Sequence, residues 1–212
     1  MSDRQTAIER LYDAFKTLPK PRHVEGCPCC TSDGEFRQLV TKPLREVMPD
    51  QLSRYASKAL TTVGTEQDFQ YFIPRILEIC ATEFGWWPEP AVVTGKMEMA
   101  AWKTWPAEQI SAIRMFLWEH FLHLLTLNDS GSDVDEWICA VGKTDEDLSP
   151  YLAELERHPA KLLQFYEENS RSLLKGRLSN SFWENGPKEK VVANWFRSPG
   201  VIEIIDEKYG MK

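Results

Sequence analysis

Apolar side chains recur along most of this chain at the spacing of one face of an α-helix. Such a face in the first residues predicts an amphipathic helix over 3–18, through Ile8, Leu11, Tyr12 and Phe15. A second face is predicted after Gly64, through Phe69, Phe72, Ile73, Ile76, Cys80 and Phe84. Thr65 and Asp68 precede that second face with the spacing of a capping box, in which each side chain bonds to the other's backbone N–H.

Prolines and glycines divide the rest of the chain into further predicted helices. Proline is tolerated in a first helical turn, so Pro49, Pro106, Pro159, Pro187 and Pro199 indicate helix starts. The predicted helices cover 35–48, 49–63, 106–127, 133–142, 145–156, 159–175, 187–197 and 199–209. Residues 85–90, with two tryptophans between glycine and prolines, are predicted to form a loop, and Ala91–Thr94 is the one plausible strand.

An internal echo suggests how these helices are arranged. Residues 60–76 and 138–155 both read as helix, Val-Gly stop, polar turn, Asp and apolar face, with Gly64 and Gly142 as the paired stops. Half of that offset approaches the repeat length of HEAT-type helix pairs. The sequence therefore predicts an all-α fold, either a HEAT-like array or an irregular bundle of antiparallel helix pairs. Residues 1–48 are expected to pack as a cap on a helical-repeat-like region, 49–212, within one continuous domain.

Composition and charge exclude several classes of function. The 212 residues carry a formal net charge of -7, and no cluster of lysine and arginine offers the basic surface that nucleic acids require. No apolar run is long enough for a membrane span, and the charged N-terminus lacks a signal-peptide core. We therefore expect a cytoplasmic protein that binds neither nucleic acid nor membrane.

The densest candidate chemistry is the segment from His23 to Cys30. His23, Cys27, Cys29 and Cys30 combine an imidazole with three thiols, which are the ligand types that Zn²⁺ prefers. No second pair of closely spaced cysteines completes the set, and adjacent Cys29 and Cys30 point apart. A redox pair is a weaker interpretation, because no strand precedes the segment. The simplest interpretation is a proline-containing loop with reduced cysteines.

Trp86 and Trp87 are the second candidate site. A loop offers few ways to bury two indoles, so they are predicted either to anchor a protein interface or to plug the end of the helical layers. The chain has no glycine-rich phosphate loop and no nucleophile elbow. These features favour a non-enzymatic protein-interaction module, such as an immunity or adaptor protein, with zinc binding through His23 and Cys27–Cys30 as the alternative.

Several segments carry a resemblance. The stretch from Pro21 to Cys30, the segments 42–45 and 52–60, and later 167–169 with Phe182 and Trp183, resemble a family of uncharacterised bacterial cytoplasmic proteins. That resemblance implies a bacterial origin and no particular mechanism. The repeat-like segments are separately similar to HEAT-type proteins.

Overall fold

The computed structural model describes residues 3–29, 31–32, 34–128, 131–184 and 186–210, with the side chains of 131 and 132 excepted. Helices and turns make up this part of the chain, and the predicted all-α class is confirmed. The α-helices are α1 (Asp3–Phe15), α2 (Arg37–Thr41), α3 (Pro49–Lys58), α4 (Glu66–Thr82), α5 (Pro90–Met99), α6 (Ala107–Thr126), α7 (Gly131–Lys143), α8 (Ser149–Glu156), α9 (Pro159–Leu173), α10 (Pro187–Trp195) and α11 (Pro199–Tyr209). Short 3₁₀ helices lie at Leu44–Glu46, Trp102–Thr104 and Ser181–Trp183.

The chain divides into two compact units, residues 1–120 and 121–212, with the division inside α6. In the first unit α1 packs against α4, and α4 also contacts α3 and α5. The Arg4 guanidinium donates to the Ala81 carbonyl at 3.2 Å, near the C-terminal end of α4. Aromatic side chains pack in the interior, with the Tyr55 and Phe72 ring centroids 4.8 Å apart and the rings tilted between α3 and α4.

The predicted capping box at the start of α4 is confirmed. The Thr65 hydroxyl accepts from the Asp68 backbone N–H at 3.2 Å, and the Asp68 carboxylate accepts from the Thr65 backbone N–H at 2.7 Å. These two bonds satisfy backbone donors that a helix leaves unpaired in its first turn. The sequence therefore specifies where this buried helix begins.

In the second unit α9 packs against both α7 and α8, and α7 also contacts α10. Aromatic side chains form part of this core: the Phe165 ring lies 5.0 Å from Phe196 and 6.4 Å from Trp195. The segment 174–184, between α9 and α10, contacts α7 through a buried hydrogen bond of Trp183. Its 3₁₀ helix places Trp183 in the interior.

Three local predictions are wrong. Ala91–Thr94 is not a strand, because these residues lie in the first turns of α5, where Pro90 begins the helix and the Thr94 hydroxyl donates to the Pro90 carbonyl at 3.0 Å. Gly142 is not a stop either, because α7 continues through it to Lys143. Gly64 does not end the preceding helix, because α3 ends at Lys58; it lies in the turn before α4 and has a φ of +70°. The two halves of the sequence echo are thus different local structures, and a HEAT-like arrangement stays a prediction.

None of the helices in the described residues has the length and the apolar character needed to cross a lipid bilayer. The predicted boundary at residue 48 stays a prediction. Helix α1 lies before it and packs on α4, which lies beyond it.

Candidate functional site

The loop between α4 and α5 exposes the largest apolar side chains of the first unit. Helix α4 ends at Thr82, and Gly85 follows with a φ of +70°, a left-handed conformation that glycine adopts without strain. Pro88 is buried, its peptide bond with Trp87 is cis, and Pro90 starts the next helix. These features hold residues 83–89 as a short turn between two helix ends.

Within this loop Phe84 is 98% exposed and Trp87 is 53% exposed. Phe84 was predicted to lie on the apolar face of α4, and that prediction is wrong because the helix ends two residues earlier. Met48, which precedes α3, is 51% exposed. We call Phe84 and Trp87 the aromatic surface, since an isolated exposed apolar residue is ordinary but large ones on one short loop mark an interaction site.

Trp86 differs from its neighbour. Its indole N–H donates to the Pro49 carbonyl at 2.8 Å, and its ring is half-buried. Pro49 begins α3 and directly follows Met48. The bond therefore ties the aromatic loop to the start of α3. Trp86 is thus held by the fold while Trp87 is exposed, and the two predicted roles of this pair stay predictions.

The charges next to these segments are acidic. Glu46, Asp50 and Glu83 are exposed, and Glu89 is half-buried. The neighbouring Arg45 is engaged with Glu9, whose carboxylate oxygens accept from the guanidinium at 2.9 and 2.6 Å. The loop that carries the aromatic surface and the segment that the Trp86 bond joins to it therefore present carboxylates.

The predicted metal ligands lie on a second loop of the first unit. The Cys27 and Cys29 sulfur atoms are 2.8 Å apart, Cys29 is exposed, and Cys27 is half-buried. The His23 imidazole is paired with the Glu25 carboxylate at 3.2 Å. Cys30 lies outside the described residues. In the part of the chain that is described, no group of three or more His, Cys, Asp or Glu side chains lies together, so the predicted four-ligand set stays a prediction.

Backbone hydrogen bonds attach this loop to the turn that follows α3. The Cys27 N–H donates to the Thr62 carbonyl at 2.8 Å, and the Gly64 N–H donates to the Glu25 carbonyl at 2.7 Å. A residue of α5 also holds this turn: the buried Lys96 ammonium donates to the Ala59 carbonyl at 2.8 Å. Burial, together with the charge of Lys58, lowers the pKa of Lys96.

The second unit holds a buried polar network that the sequence did not reveal. The Trp183 indole N–H donates to the Asp135 carboxylate at 3.0 Å, and the Asn169 amide also bonds to that carboxylate. The Asn169 side-chain oxygen accepts from the Ser179 N–H at 2.7 Å. Burial raises the pKa of Asp135 to about 6, although the bonds from Trp183 and Asn169 act in the opposite direction.

This network has the geometry of a structural tie. Asp135 is 6% exposed, and its partners connect α7, α9 and the segment before α10. A nearby carboxylate, Glu189, accepts from the Leu178 N–H at 2.8 Å and holds the same segment. These hydrogen bonds therefore explain how residues 178–183 are fixed in place.

Comparisons with protein families, curated proteins and solved structures found no match to this chain.

Proposed function

We propose that this protein is a non-enzymatic, helical protein-interaction module that binds a protein partner through the aromatic surface. The observation that carries the proposal is the exposure of Phe84 and Trp87 on a loop that Trp86 anchors to α3. Large aromatic side chains dominate the binding energy of protein interfaces. A loop that is fixed before binding also loses less conformational entropy when the partner docks.

The charges favour a particular kind of partner. Exposed carboxylates at Glu46, Asp50 and Glu83 belong to the two chain segments that the Trp86 bond joins, and the whole chain has a net charge of -7. Complementary potentials steer association and suppress wrong partners. The proposed partner therefore offers an apolar pocket bordered by lysine or arginine. An immunity or adaptor protein of a bacterial cytoplasm is one biological role that this surface would suit.

The test compares three baits in affinity purification from the native host, with quantitative mass spectrometry. They are the wild-type protein, the double variant Phe84→Ala/Trp87→Ala and the control Leu174→Ala. Leu174 is 88% exposed but belongs to the second unit, so the control removes a comparable exposed apolar group. Thermal unfolding of each bait checks that all three are folded.

We expect a partner that is recovered in stoichiometric amount with the wild-type and Leu174→Ala baits. Truncation of an interface hot spot costs about 2 kcal/mol or more, a loss of roughly 30-fold in affinity, so the double variant should recover little of it. The purified partner should then bind more weakly as salt is raised. Equal recovery by all three baits, or no stoichiometric partner, would overturn the proposal.

A further inference from the structure

The distance between the Cys27 and Cys29 sulfur atoms is longer than a disulfide bond but shorter than the usual contact of two non-bonded sulfur atoms. They are 2.8 Å apart, whereas a disulfide requires about 2.05 Å. Two thiolates on one tetrahedral zinc ion lie about 3.8 Å apart, given Zn–S bonds of about 2.3 Å. Both side chains therefore already point to the same place. Side-chain rotations that move the two sulfur atoms about 1 Å further apart would admit an ion between them.

The backbone around the pair is fixed on both sides of Cys27. Its N–H donates to Thr62, and its carbonyl accepts from the Thr31 N–H at 3.0 Å and the Thr31 hydroxyl at 2.9 Å. Gly26 is required for this close turn, because a Cβ at that position would meet the Thr31 side chain at 2.6 Å. A chelating pair gains affinity from such preorganisation, since the ion does not have to order the loop.

The pair is also accessible. The segment 25–28 separates a cleft of about 520 Å³, bordered by Arg22, His23 and Arg37, from a cleft of about 330 Å³ that Cys27 itself lines. The second cleft includes Thr62, whose buried hydroxyl has no hydrogen-bond partner among the described residues. Since Cys29 is exposed and Cys27 lines the second cleft, an incoming ion can reach the pair from solvent.

We propose that Cys27 and Cys29 form a site for a thiophilic divalent ion of the zinc class, bound by two neighbouring thiolates. Binding deprotonates both thiols and releases two protons, because the thiolate is the ligand. Water or a further side chain completes the coordination sphere. The site is separate from the aromatic surface, and its failure would leave the proposed interaction untouched.

The test uses the reduced full-length protein, Zn²⁺ and the spectroscopic substitute Co²⁺. Competition with a chromophoric chelator gives the stoichiometry and affinity for Zn²⁺. Co²⁺ should show a sulfur-to-metal charge-transfer band in the near ultraviolet. The variants are Cys27→Ser and Cys29→Ser, and the matched control is Cys80→Ser, which removes a half-buried thiol from α4.

We expect one equivalent of Zn²⁺ per chain. Each loop variant should bind more weakly by at least about 100-fold, the upper end of the loss caused by removing an outer-shell partner. At a Co²⁺ concentration that just saturates the wild type, the charge-transfer band should be largely lost in both loop variants, which bind far less Co²⁺, and should persist in Cys80→Ser. Retention of less than about one tenth of an equivalent by the reduced wild type would overturn the proposal, since specific sites bind tightly. A band of undiminished intensity in Cys27→Ser or Cys29→Ser would do the same.

Discussion

The aromatic loop of the first unit and the aromatic segment of the second use the same residue types in opposite ways. Each carries a tryptophan whose indole N–H has one well-defined acceptor: the Pro49 carbonyl for Trp86 and the Asp135 carboxylate for Trp183. Next to Trp86, however, Trp87 and Phe84 project into solvent, whereas Trp183 is buried beside α7. In the second unit the buried indole is paired with a buried carboxylate, whereas in the first loop the Trp86 indole is paired with a backbone carbonyl. The comparison separates tryptophans that hold the fold from those available to a partner.

The largest expected effect comes from truncating the two contrasting tryptophans, Trp183 and Trp87. Trp183→Ala should lower the free energy of unfolding by about 3–5 kcal/mol, because it leaves a cavity and removes a donor from a buried carboxylate. Trp87→Ala should change it by less than about 1 kcal/mol, because that side chain is 53% exposed. Urea unfolding followed by circular dichroism measures both. Equal losses in the two variants would contradict the assignment of separate roles.

The next prediction concerns the pH dependence that Asp135 gives to stability. Its folded pKa is raised to about 6 by burial, above an unfolded value of about 3.9. The native state therefore keeps a proton that the unfolded state has lost, and stability falls as pH rises from about 4 through 6. A shift of about two units corresponds to roughly 3 kcal/mol. In Asp135→Asn this contribution should be absent, so stability should fall less between pH 4 and 6 than in the wild type, as urea unfolding at a series of pH values would show.

Asp147→Asn is the matched control for that profile. The Asp147 carboxylate accepts from the Ser149 N–H and hydroxyl, and these bonds lower its pKa. Its contribution has the opposite sign: it is present above the unfolded pKa and lost as pH falls through the folded one. The control should therefore leave the decline between pH 4 and 6 in place. A decline that persists unchanged in Asp135→Asn would refute the role given to that carboxylate.

The two regions also show what sequence reasoning can reach. Helical periodicity predicted α11 at its observed bounds and the start of α4, because these features depend on residues within a few positions of one another. It extended α4 as far as Phe84, since an apolar residue at the right spacing looks the same inside a helix and just beyond it. The consequence was that the most exposed aromatic residue of the loop was assigned to the core.

Contacts between distant residues were out of reach. Trp183 and Asp135 are 48 positions apart, and only the packing of their helices brings them together. Gly142 shows the same limit: it was interpreted as a helix stop like Gly64, yet it lies within α7, where a Cβ would meet the Trp183 ring at 3.1 Å. The Cys27 segment could be identified as a candidate site because its histidine and cysteines lie close together in the sequence. Its attachment to Thr62 and Gly64 was not predicted.

The smallest predicted effect tests whether the aromatic loop is anchored as the comparison requires. Trp86→Phe keeps most of the ring but removes the indole N–H, leaving the Pro49 carbonyl without that donor. We expect a loss of about 1 kcal/mol in the free energy of unfolding, the usual net contribution of a neutral hydrogen bond. Trp87→Phe makes the same chemical change one residue later, on an exposed ring, and should have almost no effect. Urea unfolding compares the pair. If the two substitutions cost the same, the Pro49 bond does not fix the loop, and the preorganisation that supports partner binding through Phe84 and Trp87 loses its physical basis.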